Sequence, residues 1–116
     1  MRNGGSLSIA GNKYGAKKIT DPATGFVFDS KAEFIRWCEL RIMERAGKIS
    51  GLQRQVKYEL IPKQKGERAC TYLADFVYKD SDGNTVVEDT KGVRTDAYRI
   101  KRKLMLWVHG IRIKET

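Results

Sequence analysis

Apolar and polar positions change period several times along this chain, and each change marks an element. From Ser30 onward, Phe34, Ile35, Trp37, Cys38 and Ile42 recur at helical spacing, and Ser30 followed by Glu33 has the form of a capping box. Gly47 supplies the left-handed residue on which helices end, so residues 30–46 are predicted as a helix. Leu52, Arg54, Val56, Tyr58 and Leu60 then alternate with polar neighbours until Pro62 stops the run, which predicts a strand over 52–61. Beyond a loop rich in lysine and glycine, residues 70–78 and 85–90 are rich in β-branched and aromatic side chains. They flank the turn Asp80-Ser81-Asp82-Gly83-Asn84 and so predict a hairpin. Thr95 can cap a second helix, on which Ala97, Ile100, Leu104, Trp107 and Val108 form an apolar stripe opposite Arg99, Arg102 and Lys103. His109-Gly110 closes it, and Ile111 and Ile113 predict a short last strand. The order helix, strand, strand, strand, helix, strand predicts an α/β fold, a central mixed sheet covered by helices.

The hairpin carries the first hint of chemistry. A turn centred near Asp82 places Asp75 opposite Asp89 on neighbouring antiparallel strands, two carboxylates on one face. Like charges so placed weaken a sheet unless a cation or proton sits between them, and a site built from few oxygen ligands favours Mg2+ or Mn2+. Alternation puts Lys91 beside Asp89 and turns Glu88 and Thr90 the other way, Glu88 toward solvent or a partner charge. Duller readings exist for each residue. Asp75 can be a solvated strand residue, Lys91 can be half of a salt bridge to Asp89, and Glu33 can serve only its capping box. His109 follows a helix end, where a capping or helix-dipole role is the default.

At 116 residues the chain has room for one domain, expected over 20–116, behind a glycine-rich basic arm over 1–19 too poor in apolar residues to order itself unaided. With 23 basic and 14 acidic residues the formal charge is +9, which attracts polyanions, nucleic acid first. Lys13, Lys17 and Lys18 in the arm, with Arg99, Arg102 and Lys103, are the candidate phosphate contacts. No stretch is long enough to span a bilayer and nothing resembles a signal peptide, so a cytoplasmic location is expected. Cys38 and Cys70 are too few for a structural zinc site and are expected as free buried thiols.

Placed on the predicted order, the acid-x-lysine Asp89-Thr90-Lys91 on the third strand and Asp75 on the second resemble the PD-(D/E)XK nuclease superfamily, whose restriction endonuclease-like core runs αβββαβ. Asn12-Lys13-Tyr14, Phe28-Asp29-Ser30-Lys31-Ala32-Glu33, Leu52-Gln53-Arg54-Gln55-Val56 before Ile61-Pro62, Tyr72-Leu73-Ala74-Asp75-Phe76 and Val87-Glu88-Asp89-Thr90-Lys91-Gly92 are similar to small phage-encoded members, over residues 11–116. Alanine precedes Asp75 where the name has proline, and Asp89 stands where Glu is commoner.

The resemblance implies a Mg2+-dependent endonuclease, Mn2+ substituting, with Asp75, Asp89 and the Thr90 backbone carbonyl as metal ligands and Glu33 joining them directly or through water. Lys91 would orient or help deprotonate the attacking water, and Gln55, Tyr98 and Lys101 are lesser candidates beside the site. By analogy with phage Holliday junction resolvases, it implies branched DNA as substrate, a homodimer with paired sites, and action in the bacterial host. The alternative is a non-catalytic basic nucleic-acid-binding module that keeps the fold.

Overall fold

The computed structural model describes residues 17–116. Most of the arm predicted over 1–19, including Lys13, lies outside the described residues. The elements are β1 (Ile19–Thr20), β2 (Val27–Phe28), α1 (Lys31–Arg45), β3 (Ser50–Ile61), β4 (Cys70–Lys79), β5 (Thr85–Asp89), α2 (Asp96–His109) and β6 (Lys114–Glu115). The fold is mixed α/β, and the chain divides into two compact units at Cys38, within α1.

In the first unit β1 pairs antiparallel with β2, Ile19 facing Phe28, a hairpin that the sequence reading left out. Asp21 makes it: its carboxylate accepts hydrogen bonds from the Ala23 N–H at 3.0 Å and the Thr24 hydroxyl at 2.9 Å, an Asx turn that reverses the chain. Phe28 is fully buried, edge-on to Phe34 at 5.5 Å and tilted against Trp37 at 6.0 Å. The buried line of α1 is Glu33, Trp37 and Leu40, spaced by four and three. This corrects the predicted apolar face, because Ile35, Cys38 and Ile42 are exposed. The thiols are free, but Cys38 is exposed and Cys70 only half-buried, so the expectation of buried thiols fails.

The second unit holds a four-stranded mixed sheet in the order β3-β4-β5-β6, antiparallel at the first two junctions and parallel at the last. The hairpin β4–β5 closes as predicted: Asp80 Oδ1 accepts from the N–H groups of Asp82 and Asn84, and Gly83 takes the left-handed φ of 82° that the turn requires. Thr95 caps α2 by accepting the Tyr98 N–H at 3.1 Å, and Gly110, φ 69°, ends it. The last strand is shifted from Ile111 and Ile113 to Lys114–Glu115, leaving Ile113 buried in the core with Leu60, Tyr72, Ala74, Val77, Val87, Tyr98 and Met105. His109 does more than end its helix, since Nε2 lies 2.7 Å from the Glu59 carbonyl and the ring packs edge-on to Tyr58.

The orientation of α2 is the largest departure from the sequence reading. Its inward residues are Tyr98 and Met105, and the predicted apolar stripe points outward: Ile100 is 58 % exposed and Trp107 85 %. Only Leu104 of that stripe packs against the core. The most continuous apolar line of α2 is thus not the buried one. Tyr98 won because its hydroxyl reaches Glu115 at 2.7 Å while its ring is buried.

Candidate active site

The site is built on the two central strands. Phe76 faces Glu88 and Val77 faces Val87, and the same register carried one residue further sets Asp75 level with Asp89. On the other side of β4, Arg54 faces Phe76 and Val56 faces Ala74, so Gln55 stands level with Asp75. Gln55 has a φ of 57°, the one left-handed non-glycine among the described residues. A left-handed residue costs an L side chain roughly 1–2 kcal/mol. Such an outlier inside a strand marks a local bend. On β4, Tyr72 and Ala74 before Asp75 and Val77 after it join the same core cluster, so strict alternation breaks at Asp75. Tyr72 and Asp75, three apart and on opposite faces by parity, thereby come to one concavity.

That concavity, open and about 260 Å³ in volume, is lined by Tyr72, Leu73, Asp75, Asp89, Lys91, Thr95, Ala97, Tyr98 and Lys101. Asp75 is half-buried, and its Oδ2 accepts the Thr90 N–H at 2.9 Å, which ties the two strands where the ladder ends. Asp89 is buried, 1 % exposed. Its Oδ2 accepts the Tyr72 hydroxyl at 2.5 Å. Its Oδ1 receives no well-formed hydrogen bond among the described residues, and what faces it is the Lys91 ammonium at 3.0 Å. A buried carboxylate oxygen countered by charge alone is costly unless a cation meets it squarely. Burial and then the bond to Asp89 push the Tyr72 phenol up, so Tyr72 stays protonated and remains a donor.

Lys91 is held from a second side. Its Nζ lies 4.3 Å from the centroid of the Tyr98 ring, a cation–π contact. The Tyr98 phenol is pushed up by burial and then by its bond to Glu115, so it too stays protonated. Glu115 gathers Tyr98 at 2.7 Å, Arg94 Nη2 at 2.7 Å and Arg102 Nη1 at 3.0 Å. Arg94 and Tyr98 hold its carboxyl down to about 2. A carboxylate depressed from 4.5 contributes stability above that pH and loses it as pH falls toward 2. Glu115→Gln is therefore expected to melt below the parent protein at pH 7, with the gap closing between pH 4.5 and 2 in paired thermal melts. The gap should also shrink with salt, because Arg94 is exposed and Arg102 partly so.

The other predicted residues fall as follows. Lys101 lines the concavity, as does Tyr98. Gln55 is exposed beside Asp75 in sequence register. Glu33 belongs to the first unit, where it is buried, its N–H bonded to Ser30 Oγ at 3.1 Å and its Oε1 accepting the Asp29 N–H at 3.3 Å. That is a capping box displaced by one residue at the acceptor end. Arg99 pairs with Asp96 and Arg102 with Glu115, while Lys17, Lys18 and Lys103 are exposed, Lys18 3.9 Å from Asp29. Glu88 corrects the sequence reading in one respect. It does face a charge, Lys114 at 4.0 Å, and accepts the Tyr78 hydroxyl, but it is fully buried rather than solvated. The sequence reading missed Tyr72 and Glu115; Tyr72 was hidden by the parity break at Asp75, and Glu115 carried no signal at all.

A family model described as "Protein of unknown function (DUF1064)" matches residues 11–111. The chain belongs to the DUF1064 family. No curated protein and no solved structure matches it. Every residue that lines the concavity of this DUF1064 chain falls within the matched span. Among the described residues no three His, Cys, Asp or Glu side chains stand together as a metal-holding group, and no helix is long and apolar enough to cross a membrane. The acidic lining of the DUF1064 concavity is the pair Asp75 and Asp89, and its cationic lining is Lys91 and Lys101.

Proposed function

We propose that this protein is a metal-dependent endonuclease that hydrolyses DNA phosphodiester bonds, built on the restriction endonuclease-like core of the PD-(D/E)XK superfamily. The observation that carries this reading is the convergence of Asp75, Asp89 and Lys91 on one open concavity. The order α1, β3, β4, β5, α2, β6 supports it, since it runs as αβββαβ with the acid-x-lysine at the end of the third strand of that core.

The donor set fits a hard divalent ion. Asp89 Oδ1 is buried and, among the described residues, is met by the Lys91 ammonium at 3.0 Å rather than by a well-formed hydrogen bond, and Asp75 lines the same space. Mg2+ is commonly bound through one or two carboxylates, with water and substrate phosphate completing its shell, so a third carboxylate is not required. Asp75, Asp89 and the Thr90 carbonyl would hold Mg2+ or Mn2+. A divalent ion there supplies charge neutralisation at the phosphate and acidifies water. Lys91, fixed between Asp89 and the Tyr98 ring, is placed to orient the attacking water or to steady charge on a phosphoryl oxygen. Tyr72 keeps Asp89 in position by its hydroxyl bond.

The net charge of +9 supports a polyanionic substrate, and the basic side chains contact phosphate without a recognisable base-reading motif, which favours selectivity for DNA structure, branched DNA included. A homodimer acting in the bacterial host cytoplasm, with paired sites for symmetric cuts, completes the proposal. A non-catalytic phosphate-binding module gains nothing from two acids in its groove, which weighs against the alternative.

Purified protein incubated with four-way, flapped, single-stranded and linear DNA is expected to cut at least one of them with Mg2+ or Mn2+ and none in EDTA, with sedimentation reporting a dimer. Tight DNA binding without cleavage of any substrate under either metal would instead establish the binding module.

A further inference from the structure

The outward face of α2 has no role in the site as described. Trp107 and Ile100 are its most exposed apolar residues, joined by half-exposed Val108. On a helix of 100° per residue these three, with Leu104 and Ala97, occupy one continuous sector. Ala97 also lines the concavity, next to Leu73, itself half exposed. The apolar sector therefore extends from Trp107 to Ala97 at the edge of the carboxylate site.

Charge decides what can cover it. Among residues 96–109 the cations are Arg99, Lys101, Arg102 and Lys103, against one acid, Asp96, already paired with Arg99. Lys103 borders the sector on the Trp107 side and Lys101 borders it at the concavity. A second copy laid helix to helix would bring like charges together. The occupant must offer flat apolar surfaces and negative charge at once, which unpaired bases on a phosphate backbone do.

We propose that the outer face of α2, centred on Trp107, is a stacking platform for unpaired bases of a nucleic-acid strand whose phosphate reaches the Asp75–Asp89 concavity. This rests on the reading of the chain as a nuclease, and it names the substrate feature selected: unstacked or single-stranded bases adjoining the scissile phosphate. Lys101 and Trp107 are six residues apart, about 9 Å along the axis. That rise is comparable with roughly three nucleotides at about 3.4 Å each.

The test uses the full chain in EDTA, so that binding is read without cleavage. Trp37 is buried and Trp107 exposed, so base stacking is expected to quench the emission of Trp107. Oligo(dT), a four-way junction with unpaired bases and a blunt duplex are titrated against the parent, W107F, W107A and W107L, with affinity read separately by anisotropy of labelled DNA. Expected are quenching by oligo(dT) that W107F abolishes, near-parental affinity of W107F, and a loss of about tenfold or more in W107A and W107L, as one base–aromatic stack is worth roughly 1–3 kcal/mol. The loss on duplex should be severalfold smaller.

Equal losses on duplex and oligo(dT), or W107L matching W107F, would overturn the platform. So would a dimer that W107A converts to monomer, or a W107A defect seen only with anionic phospholipid vesicles. Quenching in a protein that cuts nothing under Mg2+ would keep the platform and remove the nuclease; cutting without quenching would do the reverse.

Discussion

Asp75→Ala is expected to abolish metal-dependent cleavage, a loss of roughly a thousandfold or about 4 kcal/mol of barrier, with little change in folding. The two effects separate because of where Asp75 sits. It is half-buried at the end of the β4–β5 ladder, and one bond that its removal opens is that to the Thr90 N–H, worth about 1 kcal/mol. Relief of repulsion against Asp89 offsets part of that. The parent protein is expected to melt higher with Mg2+ or Mn2+, by mass action on the folded state, and Asp75→Ala is expected to lose that shift. Lys91→Met gives the complementary result. Lys91 faces the same Asp89 oxygen that a metal would use, so its loss leaves a buried carboxylate uncompensated and lowers stability without metal. Added Mn2+ should then raise the melting temperature of Lys91→Met more than that of the parent, although cleavage stays absent. If Asp75→Ala cuts DNA at the parental rate, or Lys91→Met gains nothing from metal, the assignment of these residues fails.

The sequence was most informative where chemistry is local. The hairpin register followed from five turn residues, because Asp80 and Gly83 allow few other closures. The ends of both helices were legible for the same reason, in Ser30, Gly47, Thr95 and Gly110. What could not be read depends on partners distant in sequence. The inward side of α2 is fixed by Tyr98 meeting Glu115, seventeen residues away, and no periodicity in residues 96–109 reports that bond. The place of Tyr72 in the site depends on its hydroxyl meeting Asp89, seventeen residues away, across the break in alternation at Asp75. Alternation assumes a regular pleat, and the pleat breaks at the level of the acids. Asp75, Asp89 and Lys91 nonetheless share the concavity, where the bond from the Thr90 N–H to Asp75 continues the hairpin past its last ladder pair, Phe76 and Glu88.

The acid adjacent to Asp89 offers the sharpest control on the site. Glu88 is as buried as Asp89 and also carries a tyrosine hydroxyl, so burial and hydrogen bonding alone do not distinguish the two. Position does. Asp89 lines the concavity, and Glu88 is not among its lining residues; its neighbours are Tyr78 and Lys114. Glu88→Ala is expected to cost about 2–3 kcal/mol of stability, from an unpaired buried hydroxyl and an unfilled space. Glu88→Gln keeps the volume and an acceptor for Tyr78, and should cost about 1 kcal/mol, the difference between a charged and a neutral partner. Well below its melting temperature, Glu88→Gln should cleave within a few fold of the parent and keep its metal-dependent melting shift. Asp89→Asn should do neither, though it preserves shape just as closely. Urea denaturation with and without Mn2+, alongside initial rates, separates these outcomes. Equal loss of cleavage in Glu88→Gln and Asp89→Asn would mean that both acids serve one site, and the face-by-face assignment on β5 would have to be abandoned.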